Sequence, residues 1–177
     1  WKGRPVGTLG QGGCFSFQAS KNLTSGEGGA ILTQDDAFAD LCYDFHTPGG
    51  GRKSPSSGRG ANYRLTEFQA GLLLAQFTRL ETQAKQRDEN AAYLSSLLEQ
   101  IPGIIPARLT SGNTRSAWHL YMFRYDKSKF AGLDRARFLQ ALAKEGLPAS
   151  SGYTRLNVST HVRALAQNRH YLRLYGE

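Results

Sequence analysis

The first part of the chain alternates apolar and polar side chains in a pattern that predicts two short strands and a helix. Residues 14–18 alternate in this way and place Ser16 and Gln18 on the same face, which is the period of a strand with one buried face. A glycine-rich turn leads to an apolar run over residues 30–33, which predicts a second strand. A helix is then predicted over residues 35–45.

A long helical pattern begins after Thr66 and ends at the Pro102–Gly103 pair, which cannot continue a helix. Thr66 and Gln69 have the spacing of a capping box, in which each side chain satisfies a free N–H group at the helix start. The apolar positions of the first half form two stripes, so this half is predicted to be largely buried: Phe68, Leu72 and Ala75 in one, and Leu73, Phe77, Leu80 and Ala84 in the other. Because the pattern is longer than a typical globular helix, it is expected to connect two packed regions.

The remainder of the chain predicts a second, smaller α/β piece. Residues 118–125 indicate a buried strand. A helix capped by Asp134 is predicted to run to about Lys144, and a second helix is predicted near residues 161–167. Strands that alternate with helices indicate an α/β fold. The domain boundary is predicted at the end of the long helix, which divides the chain into residues 1–101 and 102–177.

Composition and charge narrow the class without defining a function. The chain has 22 basic and 14 acidic residues and a net charge of +8, which suits an anionic partner or plain solvation. It has no spacing typical of a zinc finger, a helix-turn-helix or an RNA-recognition motif, so no nucleic-acid partner is expected. No apolar run approaches the roughly 20 residues of a membrane span. Two cysteines without a CxxC pair fit a reduced, cytoplasmic protein.

A glycine-, proline- and serine-rich loop is predicted over residues 47–61, with Arg52, Lys53 and Arg59 within it. Loops of this length without structure of their own are usually functional or disordered. The basic side chains suit an anionic substrate, and a solvated loop is equally compatible with them.

Three side chains are candidates for chemistry. Lys21 directly follows the first predicted strand, and a lysine at a strand end above a crevice is a nucleophile when its ammonium is partly desolvated; the alternative is a solvated lysine in a turn. Ser16 could bind a phosphate or be an ordinary strand serine. Asn62 and Arg64, two positions further along, could bind an anion or form an ordinary helix entry. The four histidines lack metal-ligand spacing, so no metal site is predicted.

Two segments together resemble a known family. The run from Gly13 to Gly29, GCFSFQASKNLTSGEGG, resembles the lysine motif of the pyridoxal-phosphate-dependent sugar aminotransferases of the DegT/DnrJ/EryC1/StrS family. The run from Gly60 to Ala70, GANYRLTEFQA, resembles the second signature of that family, at the expected distance downstream. The resemblance is good over residues 1 to about 150 and weakens after Tyr153.

The resemblance implies a fold and roles for the three candidates. The expected fold is a portion of a fold-type I transferase: part of the large cofactor domain, a long connecting helix and a small C-terminal α/β domain. Lys21 matches the lysine that forms a Schiff base with pyridoxal phosphate and then shuttles a proton. Ser16 matches the serine that binds the cofactor phosphate, and Asn62 matches an asparagine that reaches the phosphate of the neighbouring subunit, so a homodimer or higher self-association is expected.

The implied reaction moves an amino group from glutamate or glutamine to a keto-sugar, commonly nucleotide-linked, or to a related cyclic ketone. The chain matches an internal to C-terminal portion of the family, without the aspartate that pairs with the pyridine nitrogen, the Gly-Thr phosphate turn or the aromatic that stacks on the ring. The chain alone is therefore expected to be inactive. The alternative hypothesis is a non-catalytic remnant that acts as a basic dimerising or binding module.

Overall fold

The computed structural model describes residues 1–47 and 60–175, and its first feature is an antiparallel hairpin. Strand β1 (Gly13–Ser16) pairs with β2 (Gly29–Leu32), with Cys14 opposite Ile31. Both predicted strands are confirmed. β1 ends two residues earlier than the alternation suggested, because the chain bends after Phe17 into the turn that carries Lys21.

Helix α1 (Asp36–His46) confirms the helix predicted after the hairpin. Asp35 caps it by accepting a hydrogen bond from the backbone N–H of Phe38 at 3.1 Å. The chain returns past the end of this helix, where Ala61 N–H donates to the carbonyl of Phe45 at 2.9 Å. Most of the predicted basic loop, including its three cationic side chains, lies outside the described residues.

Helix α2 (Glu67–Leu98) has 32 residues and is about 48 Å long at the standard rise per residue. The predicted capping box is confirmed: Thr66 Oγ1 accepts from Gln69 N–H at 3.3 Å, and Gln69 Oε1 accepts from Thr66 N–H at 3.0 Å. The two reciprocal bonds satisfy donors that a helix start otherwise leaves unpaired. The local sequence therefore fixes where this helix begins.

The predicted burial of the first half of α2 is wrong for this chain. Phe68 is 92% exposed, Leu74 69% and Phe77 55%, and in this helix Leu73 and Ala91 are the buried residues. An apolar stripe is buried only where another layer packs on it. Within the described residues, the packing on α2 comes from single side-chain contacts and the short strand that follows, so most of the stripe faces outward.

Strand β3 (Ile104–Pro106) pairs with β4 (Phe123–Tyr125), and Ile104 is buried. The predicted strand over residues 118–125 is therefore correct only at its end. Trp118 has a backbone φ of +45°, a left-handed conformation that an extended strand excludes. Its indole N–H is hydrogen-bonded to α2, as described below.

Contacts divide the chain into two units, residues 1–124 and 125–177. The boundary falls beyond the end of α2 because residues 102–124 make their contacts within the first unit. The predicted domains, residues 1–101 and 102–177, refer to the architecture of the family. These contact units do not test that architecture, so the predicted boundary stays a prediction.

The second unit is built around three aromatic rings. Tyr125 stacks on Phe138 with ring centroids 4.5 Å apart, and Phe130 packs on both rings. Phe138 lies on α3 (Arg135–Lys144), which confirms the helix predicted there. Asp134 occupies the predicted N-cap position of α3, but its carboxylate accepts no capping bond and lies 3.9 Å from Lys127 Nζ instead.

Two short helices complete the described chain. Helix α4 (Thr160–Ala166) confirms the helix predicted near residues 161–167, and Ser159 caps it through Val162 N–H at 3.2 Å. Helix α5 (Arg169–Tyr175) was not predicted. Among the helices of the described residues, none combines the length and apolar character needed to cross a membrane.

Candidate functional site

Lys21 lies in a tight turn directly after β1. Its backbone N–H donates to the carbonyl of Gln18 at 2.9 Å. The Gln18 side-chain oxygen accepts two further hydrogen bonds, from the N–H of Ser20 at 2.8 Å and from its hydroxyl at 2.7 Å. Gln18, two residues after the end of β1, therefore shapes the turn through its backbone and its side chain, and the lysine follows the strand as predicted.

The segment that follows Lys21 closes back on the strand. The carbonyl of Phe17 accepts from the N–H of Ser25 at 3.0 Å and from the hydroxyl of Thr24 at 2.9 Å. Phe17 N–H donates to the carbonyl of Gly28 at 2.8 Å. Ser25 is the buried polar residue of this segment, and its hydroxyl donates to the carbonyl of Glu27. Residues 17–28 thus form a closed loop, hereafter the lysine loop.

Helix α2 holds the lysine loop through two glutamines. Gln76 Nε2 donates to the carbonyl of Thr24 at 2.6 Å, and its Oε1 accepts from Thr24 N–H at 3.4 Å. Gln69 Nε2 donates to the carbonyl of Glu27 at 2.9 Å. The two glutamines are seven residues apart, which is about two turns of helix, so both lie on the same face.

A third amide, from within the lysine loop, bonds the loop to another segment of the first unit. Asn22 Nδ2 donates to the carbonyl of Ala117 at 2.6 Å. The next residue, Trp118, donates its indole N–H to Asp88 Oδ1 of α2 at 2.8 Å. The segment that receives the Asn22 amide is therefore itself anchored to the long helix.

Arg115 strengthens this anchor. Its Nε donates to Asp88 at 3.0 Å and its Nη1 to Glu81 at 2.8 Å. These side-chain hydrogen bonds to Glu81 and Asp88 raise the pKa of Arg115 further above its ordinary value. Sequence reasoning missed this cluster, because its members lie 27 to 34 positions apart along the chain.

Ser16 is at the end of β1 with its side chain exposed. Its Oγ accepts a hydrogen bond from the N–H of Gln18 at 3.3 Å, which leaves the hydroxyl proton free for an acceptor. Lys21 is half-buried, and no described carboxylate lies within ion-pairing distance of its ammonium group. The strand end therefore carries a hydroxyl and an amine on one continuous piece of backbone.

Asn62 is exposed on the segment that follows the undescribed residues. Its neighbour Tyr63 donates its backbone N–H to the carbonyl of His46 at 3.2 Å, so the segment is held against the end of α1. Among the described hydrogen bonds, none joins the Asn62 side chain to Ser16 or Lys21. The structure thus places Ser16 at the end of β1, Lys21 in the turn that follows it, and Asn62 on a separate segment.

A cavity of about 750 Å³ lies in the first unit beside the hairpin and α1. Its walls are largely apolar and include Phe15, Ile31, Leu41 and Phe45. The three predicted site residues are not among those that line it. In residues 1–47 and 60–175, no group of three or more histidine, cysteine or carboxylate side chains is arranged to hold a metal ion.

The hairpin, the lysine loop and the long capped helix define a portion of a fold-type I transferase, and the fold comparison supports this class. A solved DegT DnrJ EryC1 StrS aminotransferase from Brucella abortus has a similar fold, with a TM-score of 0.79 and 28% sequence identity. The match covers 92% of this chain and 42% of that one. The predicted fold class is therefore confirmed.

Sequence comparison identifies the family. The profile of the DegT/DnrJ/EryC1/StrS aminotransferase family matches residues 1–172, so the chain belongs to this family. It is 35% identical over 172 residues to the L-glutamine:2-deoxy-scyllo-inosose aminotransferase of Streptomyces kanamyceticus, covering 90% of this chain and 40% of that protein. It is also 35% identical over 161 residues to the 3-amino-5-hydroxybenzoate synthase of Amycolatopsis mediterranei, covering 86% of this chain and 40% of that protein. The chain thus spans about two fifths of the length of these relatives.

Proposed function

We propose that this chain supplies the cofactor lysine of a pyridoxal-phosphate-dependent aminotransferase, with Lys21 in that role. The observation that carries the proposal is the placement of Lys21: a half-buried amine without a described ion-pair partner, on a loop that is hydrogen-bonded at both ends. Family membership supplies the reaction class. Without the family match, this placement would not distinguish a cofactor lysine from any other half-buried lysine.

The side chains present fit the cofactor in their chemistry. When bound, pyridoxal phosphate supplies an aldehyde that condenses with amines and a conjugated ring that takes up an electron pair. Such an aldehyde condenses with a free amine, and a carboxylate partner would favour the unreactive ammonium form. None of the described carboxylates pairs with Lys21. Ser16 and Asn62 offer a hydroxyl and an amide N–H, both of which donate hydrogen bonds to phosphate oxygens.

Lys21 then has two tasks in the proposed reaction. Its Nζ holds the cofactor covalently between turnovers, and once released it carries a proton as a general base and then as a general acid. Both tasks require a fixed backbone and a movable side chain. The lysine loop provides the first, because its backbone groups are hydrogen-bonded to one another and to Gln76 of α2, and the Asn22 side chain is bonded to the carbonyl of Ala117.

For the substrates, we propose glutamate or glutamine as amino donor and a keto-sugar, nucleotide-linked, or a related cyclic ketone as acceptor. Support comes from the name of the Streptomyces kanamyceticus relative, which specifies L-glutamine and a deoxy-inosose. The net charge of +8 is favourable for an anionic acceptor. We also propose a cytoplasmic location, which the two free cysteines, Cys14 and Cys42, fit.

A second candidate function applies to the 177-residue chain taken alone: a non-catalytic, basic module that self-associates. Exposed apolar side chains that share one face of α2, Phe68 and Leu72, favour it, because contiguous exposed apolar surface marks interaction sites. In this case the chain pairs with a second copy and does not bind the cofactor. The proposed homodimer is common to both functions, so cofactor binding is the property that separates them.

The experiment is borohydride trapping. The chain is mixed with pyridoxal phosphate, reduced and digested, and the phosphopyridoxyl mass is located by peptide mass spectrometry. We expect the label on the peptide that contains Lys21, and its loss in Lys21→Arg. Lys85→Arg is the matched control, because Lys85 is an exposed lysine whose described partner is Glu89 on the next turn of α2.

Selective labelling of Lys21 supports the cofactor role. Labelling spread evenly over surface lysines, with Lys85 modified as much as Lys21, contradicts it and favours the non-catalytic module. Ser16→Ala provides a second check, because loss of a phosphate contact should raise the cofactor concentration needed for half-maximal labelling of Lys21.

A further inference from the structure

We propose that Asn22 and Gln76 are positioning residues for Lys21: two side-chain amides that clamp the backbone on the C-terminal side of the lysine. This inference rests on the proposed cofactor role of Lys21 and adds the residues through which the fold would hold that lysine in place. Neither amide is expected to touch the cofactor or the substrate.

Gln76 makes the more complete contact. Its amide group pairs with both backbone groups of Thr24, donating to the carbonyl at 2.6 Å and accepting from the N–H at 3.4 Å. Such a pair replaces the partners that a neighbouring strand would give to an extended residue. Thr24 is partly buried, so loss of Gln76 leaves two backbone groups poorly solvated.

Asn22 is the residue next to Lys21, so its contact restrains the chain directly after the lysine. Its amide reaches a carbonyl 95 positions away along the chain, at 2.6 Å. That carbonyl belongs to Ala117, directly before the left-handed Trp118, whose indole is bonded to Asp88 of α2. The acceptor is thus fixed by a second long-range bond, and a fixed acceptor can restrain the group bonded to it.

Hydrogen bonds to Gln18 on one side, and from Asn22 and Gln76 on the other, restrain the backbone on both sides of Lys21. On the N-terminal side, Lys21 N–H is bonded to Gln18. On the C-terminal side, Asn22 and Thr24 are bonded to residues 117 and 76. The movable part is then the lysine side chain itself, which is the condition under which a nucleophile has a high effective concentration at one place.

The clamp has a measurable consequence. One neutral hydrogen bond contributes about 1 kcal/mol, which corresponds to about fivefold in an equilibrium constant. If a bond restrains the loop in the form that binds the cofactor, its loss raises the cofactor concentration for half-maximal labelling of Lys21 by about that factor. Because Gln76 makes two bonds, its loss should have the larger effect.

The test is a titration of Lys21 labelling in Asn22→Ala and Gln76→Met, with pyridoxal phosphate as the probe. Methionine keeps the length of the glutamine side chain and removes its amide. The matched control is Gln86→Met on the same helix, whose amide is bonded to Asn90 one turn away and not to the loop. We expect the half-labelling concentration to rise about fivefold in Asn22→Ala and further in Gln76→Met, with the maximal labelling of Lys21 unchanged in both.

The unfolded fraction, measured by far-UV circular dichroism, separates positioning from general stability. A variant that is only less stable raises the half-labelling concentration by no more than the factor that its unfolded fraction accounts for; this result overturns the inference. Should Gln76→Met not fold, Asn22→Ala still decides the matter, because the Asn22 bond is at the surface. Equal half-labelling concentrations in Asn22→Ala, Gln86→Met and the wild type also overturn it.

Failure of the proposed function gives a different result. In that case the wild-type chain itself shows no preference for Lys21 over Lys85, which overturns the cofactor role and the positioning role together. A wild type that labels Lys21 selectively, with clamp variants that label at the same concentrations, leaves the cofactor role intact and overturns the clamp alone.

Discussion

The start of α2 offers a quantitative test, through Thr66→Ala. Thr66 Oγ1 accepts the N–H of Gln69, and its own N–H is satisfied by the Gln69 side chain. The Thr66 hydroxyl also donates to Gln69 Oε1 at 2.9 Å. Alanine removes both bonds of the hydroxyl and leaves the one from the Thr66 N–H. Replacement of a threonine N-cap by alanine typically costs about 1 kcal/mol, within a range of roughly 0.5 to 2. Because one of the two lost bonds is long, at 3.3 Å, and the other is short, we expect a cost near that typical value.

Hydrogen exchange measures this cost where it acts. A loss of about 1 kcal/mol in local stability accelerates exchange of the first-turn amides about fivefold. The central turns of α2 should exchange as before, because the cap acts on the end of the helix only. The matched control is Thr78→Ala, whose hydroxyl is bonded within the same helix to the carbonyl of Ala75; there, alanine should leave exchange unchanged or slow it, since alanine has the higher helix propensity.

A second variant separates the two tasks of Gln69. Gln69→Glu keeps an oxygen that accepts the N–H of Thr66 and adds a negative charge at a helix N-terminus, which is favourable. It removes the amide that donates to the carbonyl of Glu27. The first turn of α2 should therefore stay protected while Glu27 and its neighbours in the lysine loop exchange faster. Unchanged first-turn exchange in Thr66→Ala would refute the reasoning, as would equal loss of first-turn protection in Gln69→Glu and Gln69→Ala.

Two further predictions concern other places in the fold. Partial burial of the Tyr125 phenol, with the nearby charge of Asp134, raises the pKa of Tyr125. The folded state therefore favours the neutral phenol. The contribution of Tyr125 to stability is present below the unfolded pKa of about 10 and is lost as the pH rises through the folded pKa. An alkaline unfolding titration should show that loss in the wild type and not in Tyr125→Phe, and an identical alkaline limb in both would contradict it. Gly28→Ala should destabilise the lysine loop more than Gly26→Ala in thermal unfolding: both glycines have a positive φ, but the new Cβ at position 28 lies 2.8 Å from Leu65 Cδ1 and the one at position 26 meets nothing within 4 Å. Equal destabilisation would show that backbone strain alone decides the effect.

The elements that the sequence predicted correctly are those determined by neighbours along the chain. The alternation over residues 14–18 predicts β1 because period-two burial is a local property. The Thr66 and Gln69 pair predicts the start of α2 because its bonds span three residues. Two of the candidate residues, Ser16 and Lys21, follow from the same local pattern together with the family resemblance, and their roles stay predictions.

The elements that the sequence did not predict depend on distant partners. Trp118 belongs to an apolar run that favours a strand, yet its indole bond to Asp88, 30 positions away, accompanies a left-handed backbone. The exposure of Phe68 depends on which layers pack against α2, and its own helix carries no information on that. The amide contacts of Asn22 and Gln76 likewise join residues 95 and 52 positions apart. A signal was present in the seven-residue spacing of Gln69 and Gln76, which puts both amides on one helical face.

The Asn22 bond also has a consequence for the order of events during synthesis. Asn22, next to the lysine, is synthesised 95 residues before Ala117, whose carbonyl it binds. At a rate of about 5–20 residues per second, this interval is about 5 to 20 seconds. The hairpin can form early, since its strands are close in sequence. The contact with Ala117 closes a long segment of chain and so must follow the formation of α2. The lysine loop therefore gains this restraint only after α2 and the segment around residue 117 have been synthesised.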